Sequence, residues 1–247
     1  MRVEPHLRIS KGDINERCII VGDPSRVLKI TKHLSDVKKI GDNRGFITYN
    51  GVYSGVPITV ACTGIGGPSA AIVIEELINC GAKIIIRVGS GGVMREEIET
   101  GDLVISTGVC KEEKSTKAYV PHGFAAVPNY DVLNALINSA FQSGKRFYYG
   151  LTMCTDSFYA KTHHDKMVEW GALNVIGSDM ESSMLFTLAA IKGVRAGFIF
   201  YAGLNISRKQ KHGDIIKQES KRLAGEENAI MVALNAMKKL KGGDLIG

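Results

Sequence analysis

This 247-residue chain has no apolar run long enough to span a bilayer, and its longest ones are interrupted by glycine, so no membrane segment is expected. Its first residues, Met1-Arg2-Val3-Glu4-Pro5-His6, lack the apolar centre of a secretory leader, so none is expected. The five cysteines (Cys18, Cys62, Cys80, Cys110, Cys154) are an odd number, scattered, and form no C-x-x-C pair. That spacing argues against a disulfide scaffold or a zinc knuckle and suits a reducing cytoplasm. Cys18, Cys62 and Cys110 lie in or beside apolar runs and read as small core residues. Also missing are H-E-x-x-H, a P-loop, a nucleophile elbow and the kinase motifs. His163-His164-Asp165 does not replace them, because neighbours on a helix diverge by about 100° and cannot converge on one ion. No metal site is expected. No Pro/Ser-rich linker, repeat or composition break divides the chain, so residues 1–247 read as a single domain.

A formal charge of +6 would suit a nucleic acid or a small anion. Much of the excess lies on solvated faces such as Lys238-Lys239-Leu240-Lys241. The run Arg208-Lys209-Gln210-Lys211-His212 lacks the interleaved aromatics of a single-strand binder, so no nucleic-acid partner is expected.

What is present is a strand–helix alternation over a chain that is 45% hydrophobic. Strands are read at Cys18–Val21, Phe46–Tyr53, Val56–Thr63, Ile84–Val88, Leu103–Thr107, Phe147–Met153, Leu173–Ile176 and Gly197–Ala202. Helices are read from Pro24 to about His33, and at Pro68–Cys80, Val132–Phe141, His163–Trp170, Asp179–Lys192 and Ile215–Lys241. The expected fold class is α/β, with a central mixed, largely parallel sheet covered by helices on both faces.

Three strand ends carry chemistry. Ile84-Ile85-Ile86-Arg87-Val88-Gly89-Ser90-Gly91-Gly92 is a buried strand that ends in an arginine, a hydroxyl and glycines. Ligands of open α/β sheets sit beyond the carboxyl ends of strands, and an arginine fork there matches phosphate oxygens. Gly22-Asp23-Pro24-Ser25-Arg26 joins another strand to a helix N-terminus, which is a ready anion site, although Asp23 or Ser25 could simply cap that helix. Thr63-Gly64-Ile65-Gly66-Gly67-Pro68-Ser69 resembles a dinucleotide fingerprint but lacks its third glycine and its distal acid, so the glycines are read as letting backbone approach a ligand. Finally, Asp179 and Glu181 open an apolar helix. They either complement its dipole or, in the case of Glu181, accept hydrogen bonds from a sugar diol.

Taken in order, Val21-Gly22-Asp23-Pro24-x-Arg26, Asn43-Arg44, Gly64-Ile65-Gly66-Gly67-Pro68-Ser69, Ile86-Arg87-Val88-Gly89-Ser90 and Met180-Glu181 resemble the nucleoside phosphorylase family. The likeness is to its branch of uridine phosphorylases and hexameric bacterial-type purine nucleoside phosphorylases, and it covers nearly the whole chain. The resemblance implies a phosphate site of Gly22, Arg26, Arg87 and Ser90, completed by Arg44 from a neighbouring subunit. It implies a ribose site of Met180 and Glu181, with His6 contributed by the neighbour, and a nucleoside wall of Phe158 and Tyr159. Inorganic phosphate would be the co-substrate, with no cofactor, in a homo-oligomer with shared sites, expected as a hexamer built from dimers.

Two departures bear on the base. Leu204 stands where the purine enzymes carry an acid, followed by Asn205, the polar group left beside the leaving base. Thr162 and His164 stand where the uridine branch carries a glutamine and an arginine. The expected reaction is phosphorolysis of a ribonucleoside with uridine favoured and Arg87, Glu181 and Asn205 as catalytic groups. The alternatives are a purine-specific phosphorylase, a nucleosidase using water, and a non-catalytic nucleoside sensor.

Overall fold

A computed structural model describes residues 3–208, 210 and 217–243. Nine strands form one mixed sheet: β1 (Arg17–Val21), β2 (Ser35–Asn43), β3 (Phe46–Tyr53), β4 (Val56–Cys62), β5 (Ile84–Val93), β6 (Leu103–Lys111), β7 (Phe147–Cys154), β8 (Gly177–Asp179) and β9 (Arg195–Asn205). Their order is β2-β3-β4-β1-β5-β8-β7-β6-β9, and β9 also pairs with β5, so the last five strands close into a ring. β1 runs parallel to β4 and β5, and β5 parallel to β9, which brings their carboxyl ends together.

Side-chain alternation sorts the core into two layers. Cys18 and Ile20 of β1 face α2 (Gly67–Cys80) and α5 (Ser182–Lys192). Ile19 and Val21 face α1 (Pro24–Thr31), α3 (Tyr130–Gln142) and α6 (Glu219–Lys239). A smaller cluster of Met94, Met153, Met167, Val175, Leu204 and Ile206 lies beside α4 (His163–Ala172). Local signals explain the helix ends. Asp23 caps α1 by accepting a hydrogen bond from the Ser25 N–H, followed by Pro24 in the first turn. Gly81, at φ +119°, ends α2 in a left-handed conformation.

Several boundaries differ from the sequence-based expectation. β2 was not expected at all: it is an exposed strand rich in Lys and Asp, bulged against β3, with no apolar alternation to reveal it. Leu173–Ile176 is not extended; a turn with Asn174 at φ +63° closes α4, and the strand begins only at Gly177. The helix expected from Asp179 starts at Ser182, because Asp179 belongs to β8 and Glu181 precedes the first helical turn. β5 continues through its glycines to Val93, where a Cβ on Gly91 would lie 2.3 Å from the Ser178 carbonyl oxygen. Cys110 is half-buried rather than a core residue. The expected start of the last helix at Ile215, and Lys209, Lys211 and His212 of the basic run, lie outside the described residues.

Candidate active site

Arg87 is the centre of the strand-end cluster. It is 4% exposed on β5, and its guanidinium lies over the Phe198 ring with its carbon 5.3 Å from the centroid. Its Nε donates to Asp179 Oδ2 at 3.2 Å, and its Nη2 donates to Glu181 Oε2. The remaining nitrogen, Nη1, is buried without a hydrogen-bond partner among the described residues. It lies 3.9 Å from where a Cβ on Gly22 would stand, so the bare glycine turn keeps space open before it. A buried, unpaired guanidinium nitrogen is costly unless an anion completes it.

Asp179 was expected only as a helix-dipole acid, yet it organises this corner. Oδ2 accepts the N–H groups of Glu181 at 3.1 Å and Ser182 at 3.0 Å as well as Arg87 Nε, and Oδ1 accepts the Ser182 hydroxyl. Glu181 is 4% exposed, and its Oε1 accepts the Gly66 N–H at 2.6 Å, which ties it to the Gly64–Gly67 loop. Gly64 and Gly66 adopt φ +64° and +93° there, backbone that β-branched or bulky residues resist. Burial pushes the Glu181 carboxyl above its ordinary range; Arg87 pulls it down and Asp179 pushes it further up. The same two carboxylates raise the Arg87 pKa against its own desolvation. Met180 sits half-buried between Asp179 and Glu181, and Ser90 is exposed at the mouth.

Arg26 reaches the same strand ends from the other face of the sheet. It is 5% exposed, and its Nη1 donates to the carbonyl of Val88, the residue after Arg87. Gly22, Arg87 and Glu181 are therefore brought together, with Arg26 anchored one residue further along β5 at Val88.

Arg44 and His6 belong to a separate arm. Arg44 (φ +55°) and Gly45 (φ +84°) form the tight turn between β2 and β3, and the Arg44 side chain is exposed. Asn43 Nδ2 donates to the His6 carbonyl at 2.8 Å, which ties the hairpin to the N-terminal turn. Glu76 of α2, 4% exposed, accepts the backbone N–H of Leu7 at 2.7 Å and lies 2.7 Å from His6 Nδ1. Nothing in the expectation singled out Glu76; a carboxylate on the buried stripe between Ile74 and Leu77 was the available signal.

The base side agrees less well with expectation. Phe158 and Tyr159 pack edge to face at 5.0 Å, with Tyr159 largely exposed. It is His163, buried and 6.0 Å from the Phe158 ring, that faces inward. His164 and Thr162 both point to solvent, as α4 places successive residues on different sides; the His164 ring faces Asp165 at 3.9 Å. The structure thus leaves the His164 side chain, expected at the base, exposed to solvent. It also corrects Asn205 as a catalytic donor: its Nδ2 donates to the carbonyls of Arg95 at 2.9 Å and Ile98 at 2.6 Å, and its Oδ1 accepts from Arg208 N at 3.2 Å. At 1% exposure no donor remains for a base. Leu204 is buried among methionines. Among the described residues, no group of three or more His, Cys, Asp or Glu is placed to hold a metal.

A mixed α/β sheet whose parallel strands end at an arginine–carboxylate cluster with an open anion position defines a phosphate-using class. The chain belongs to the phosphorylase superfamily, whose family model matches residues 16–235. It is 38% identical over 248 residues to the uridine phosphorylase of Treponema pallidum, covering 96% of this chain and 94% of that protein. It is 36% identical to the guanosine phosphorylase of Halorubrum lacusprofundi, covering 97% and 100%. The crystal structure of uridine phosphorylase from Vibrio fischeri superposes with a TM-score of 0.91 at 30% identity, covering 97% of this chain and 99% of that one.

Proposed function

We propose that this enzyme cleaves the N-glycosidic bond of a ribonucleoside with inorganic phosphate, releasing free base and ribose 1-phosphate, with uridine favoured. The observation that carries this reading is the buried, unpaired Nη1 of Arg87 facing the Gly22 turn, beside a buried Glu181. A phosphate oxygen held there attacks C1′ while the C1′–N bond breaks, and the bonding pair leaves with the base. Charge develops on an oxocarbenium-like sugar, as in glycoside cleavage. Phosphate is the nucleophile, so the protein's work is to hold the anion under C1′ and fix the sugar through Glu181 and Met180. No metal or organic cofactor enters this scheme.

Base preference rests on Leu204. Purine departure is helped by a proton or strong hydrogen bond at N7, which a buried leucine cannot give. Uracil leaves as an anion stabilised along its O2–N3–O4 edge and does not need that acid. With His164 turned to solvent, His163 beside Phe158 is the better placed imidazole of the pair to meet that edge. The exposed Arg44, next to the Asn43 that is hydrogen-bonded to His6, supports a homo-oligomer in which each chain lends these residues to a neighbour, within a hexamer built from dimers in the cytoplasm. The decisive experiment is incubation with uridine, inosine, adenosine and guanosine, with and without phosphate, scoring ribose 1-phosphate. Equal base release without phosphate would establish a nucleosidase instead. A tenfold or greater preference for a purine would overturn uridine.

A further inference from the structure

One buried carboxylate at the strand ends belongs to none of the sequence motifs. Glu226 of α6 is 4% exposed, and its Oε1 receives Arg26 Nε at 2.5 Å. We propose that Glu226 is a positioning residue that sets phosphate affinity by holding Arg26 from behind; the inference rests on the phosphorylase reading above.

The geometry of Arg26 supplies the argument. Its Nε meets Glu226, its Nη1 donates to the Val88 carbonyl at 3.1 Å, and its Nη2 donates to the Tyr201 hydroxyl at 3.3 Å. The guanidinium carbon lies 5.5 Å from the centroid of the Tyr201 ring, so that ring supports its plane. A guanidinium has five N–H groups. With Nε held by Glu226 and one hydrogen from each Nη engaged, two hydrogens of the fork have no partner among the described residues and can serve an anion. Arg26 stands in the first turn of α1, directly after the Gly22–Ser25 segment, a candidate anion site. Burial pushes the neighbouring Cys62 thiol up, while Arg26 and Arg87 both act to lower it, and Cys62 Sγ is itself 3.5 Å from the Gly22 carbonyl oxygen.

Glu226 also receives Lys29 Nζ on Oε2 at 2.5 Å. Its two oxygens therefore hold separate cations, Arg26 on Oε1 and Lys29 on Oε2. Removing Glu226 would strand a buried arginine beside a lysine and free its guanidinium to rotate. A purely architectural tie between α6 and α1 would affect both substrates alike; a positioning role affects phosphate selectively.

The test measures kcat, phosphate KM, nucleoside KM and melting temperature for the wild type, Glu226→Gln, Glu226→Asp and Lys29→Met. Glu226→Gln should raise phosphate KM by about tenfold, the scale of one weakened charge-assisted hydrogen bond, with nucleoside KM within about twofold. Lys29→Met, which leaves the Arg26 contact intact, should keep phosphate KM within about twofold. In an Arg26→Ala background, Glu226→Gln should add no further rise. If Glu226→Gln does not fold, Glu226→Asp, which draws the carboxylate back by one methylene, decides the point by the same selective rise. Unchanged phosphate KM, or equal losses for both substrates accompanying a lower melting temperature, would overturn the proposal. A wild type whose base release ignores phosphate would instead bring down the phosphorylase reading, and this inference with it.

Discussion

Asp179 Oδ2 accepts Arg87 Nε at 3.2 Å, while the same oxygen caps the start of α5 through the N–H groups of Glu181 and Ser182. One carboxylate thus aims the guanidinium and sets where the Glu181 side chain begins. Because the pair is buried, its geometry is held by hydrogen bonds in fixed directions rather than by a screened surface attraction.

Arg87→Ala should lower kcat/KM for phosphorolysis by about two orders of magnitude or more, the scale of losing a preorganised charge clamp. Arg87→Lys should recover little, since an ammonium cannot meet Asp179, Glu181 and an oxyanion in one plane. Steady-state kinetics at saturating nucleoside with varied phosphate provide the measurement. Near-wild-type activity in either variant would remove Arg87 from the mechanism.

Activity should fall on the acid side at a pH above the ordinary glutamate range. Burial and Asp179 favour the protonated form of Glu181 and outweigh Arg87, so its carboxylate is lost sooner as pH falls. A protonated Glu181 accepts sugar hydroxyls poorly, and kcat/KM for the nucleoside drops through that raised value. Asp179→Asn removes a negative neighbour and should move this limb to lower pH even as kcat declines. A limb that moves upward would contradict the assigned sign.

Mixing inactive Arg44→Ala with inactive Glu181→Ala protein should restore activity once subunits exchange. Arg44 stands exposed at the β2–β3 turn while Glu181 is buried at the strand ends, so a shared site can draw each intact group from a different chain. Continued inactivity after demonstrated exchange, or a fully active monomer, would count against shared sites.

Asn205→Ala should lower the melting temperature without altering the ratio of uridine to guanosine turnover. The substitution leaves the Arg95 and Ile98 carbonyls without their Asn205 donor, a loss of about 1–3 kcal/mol for a buried group. A changed base ratio in a variant of undiminished stability would return Asn205 to the base site.

Much of the architecture could be read from the chain because its signals are local. The Ile84–Ile86 run, the Asp23-Pro24 helix start and the Pro68 to Gly81 helix are written in propensity, capping and period, which depend on near neighbours. The glycine turns and Arg87 were legible for the same reason, as an unusual cation at the end of an apolar strand. The polar strand β2 was not, because it is stabilised by pairing with β3 rather than by an apolar face of its own. Nor could residue order say which of two adjacent histidines turns inward, a matter of how α4 packs. Asp179 beside Arg87, Glu226 beside Arg26 and Asn205 tied to residues 95–98 join positions 92, 200 and about a hundred residues apart. Only tertiary packing chooses such partners, because a buried polar group takes whichever complementary atom the fold brings within reach.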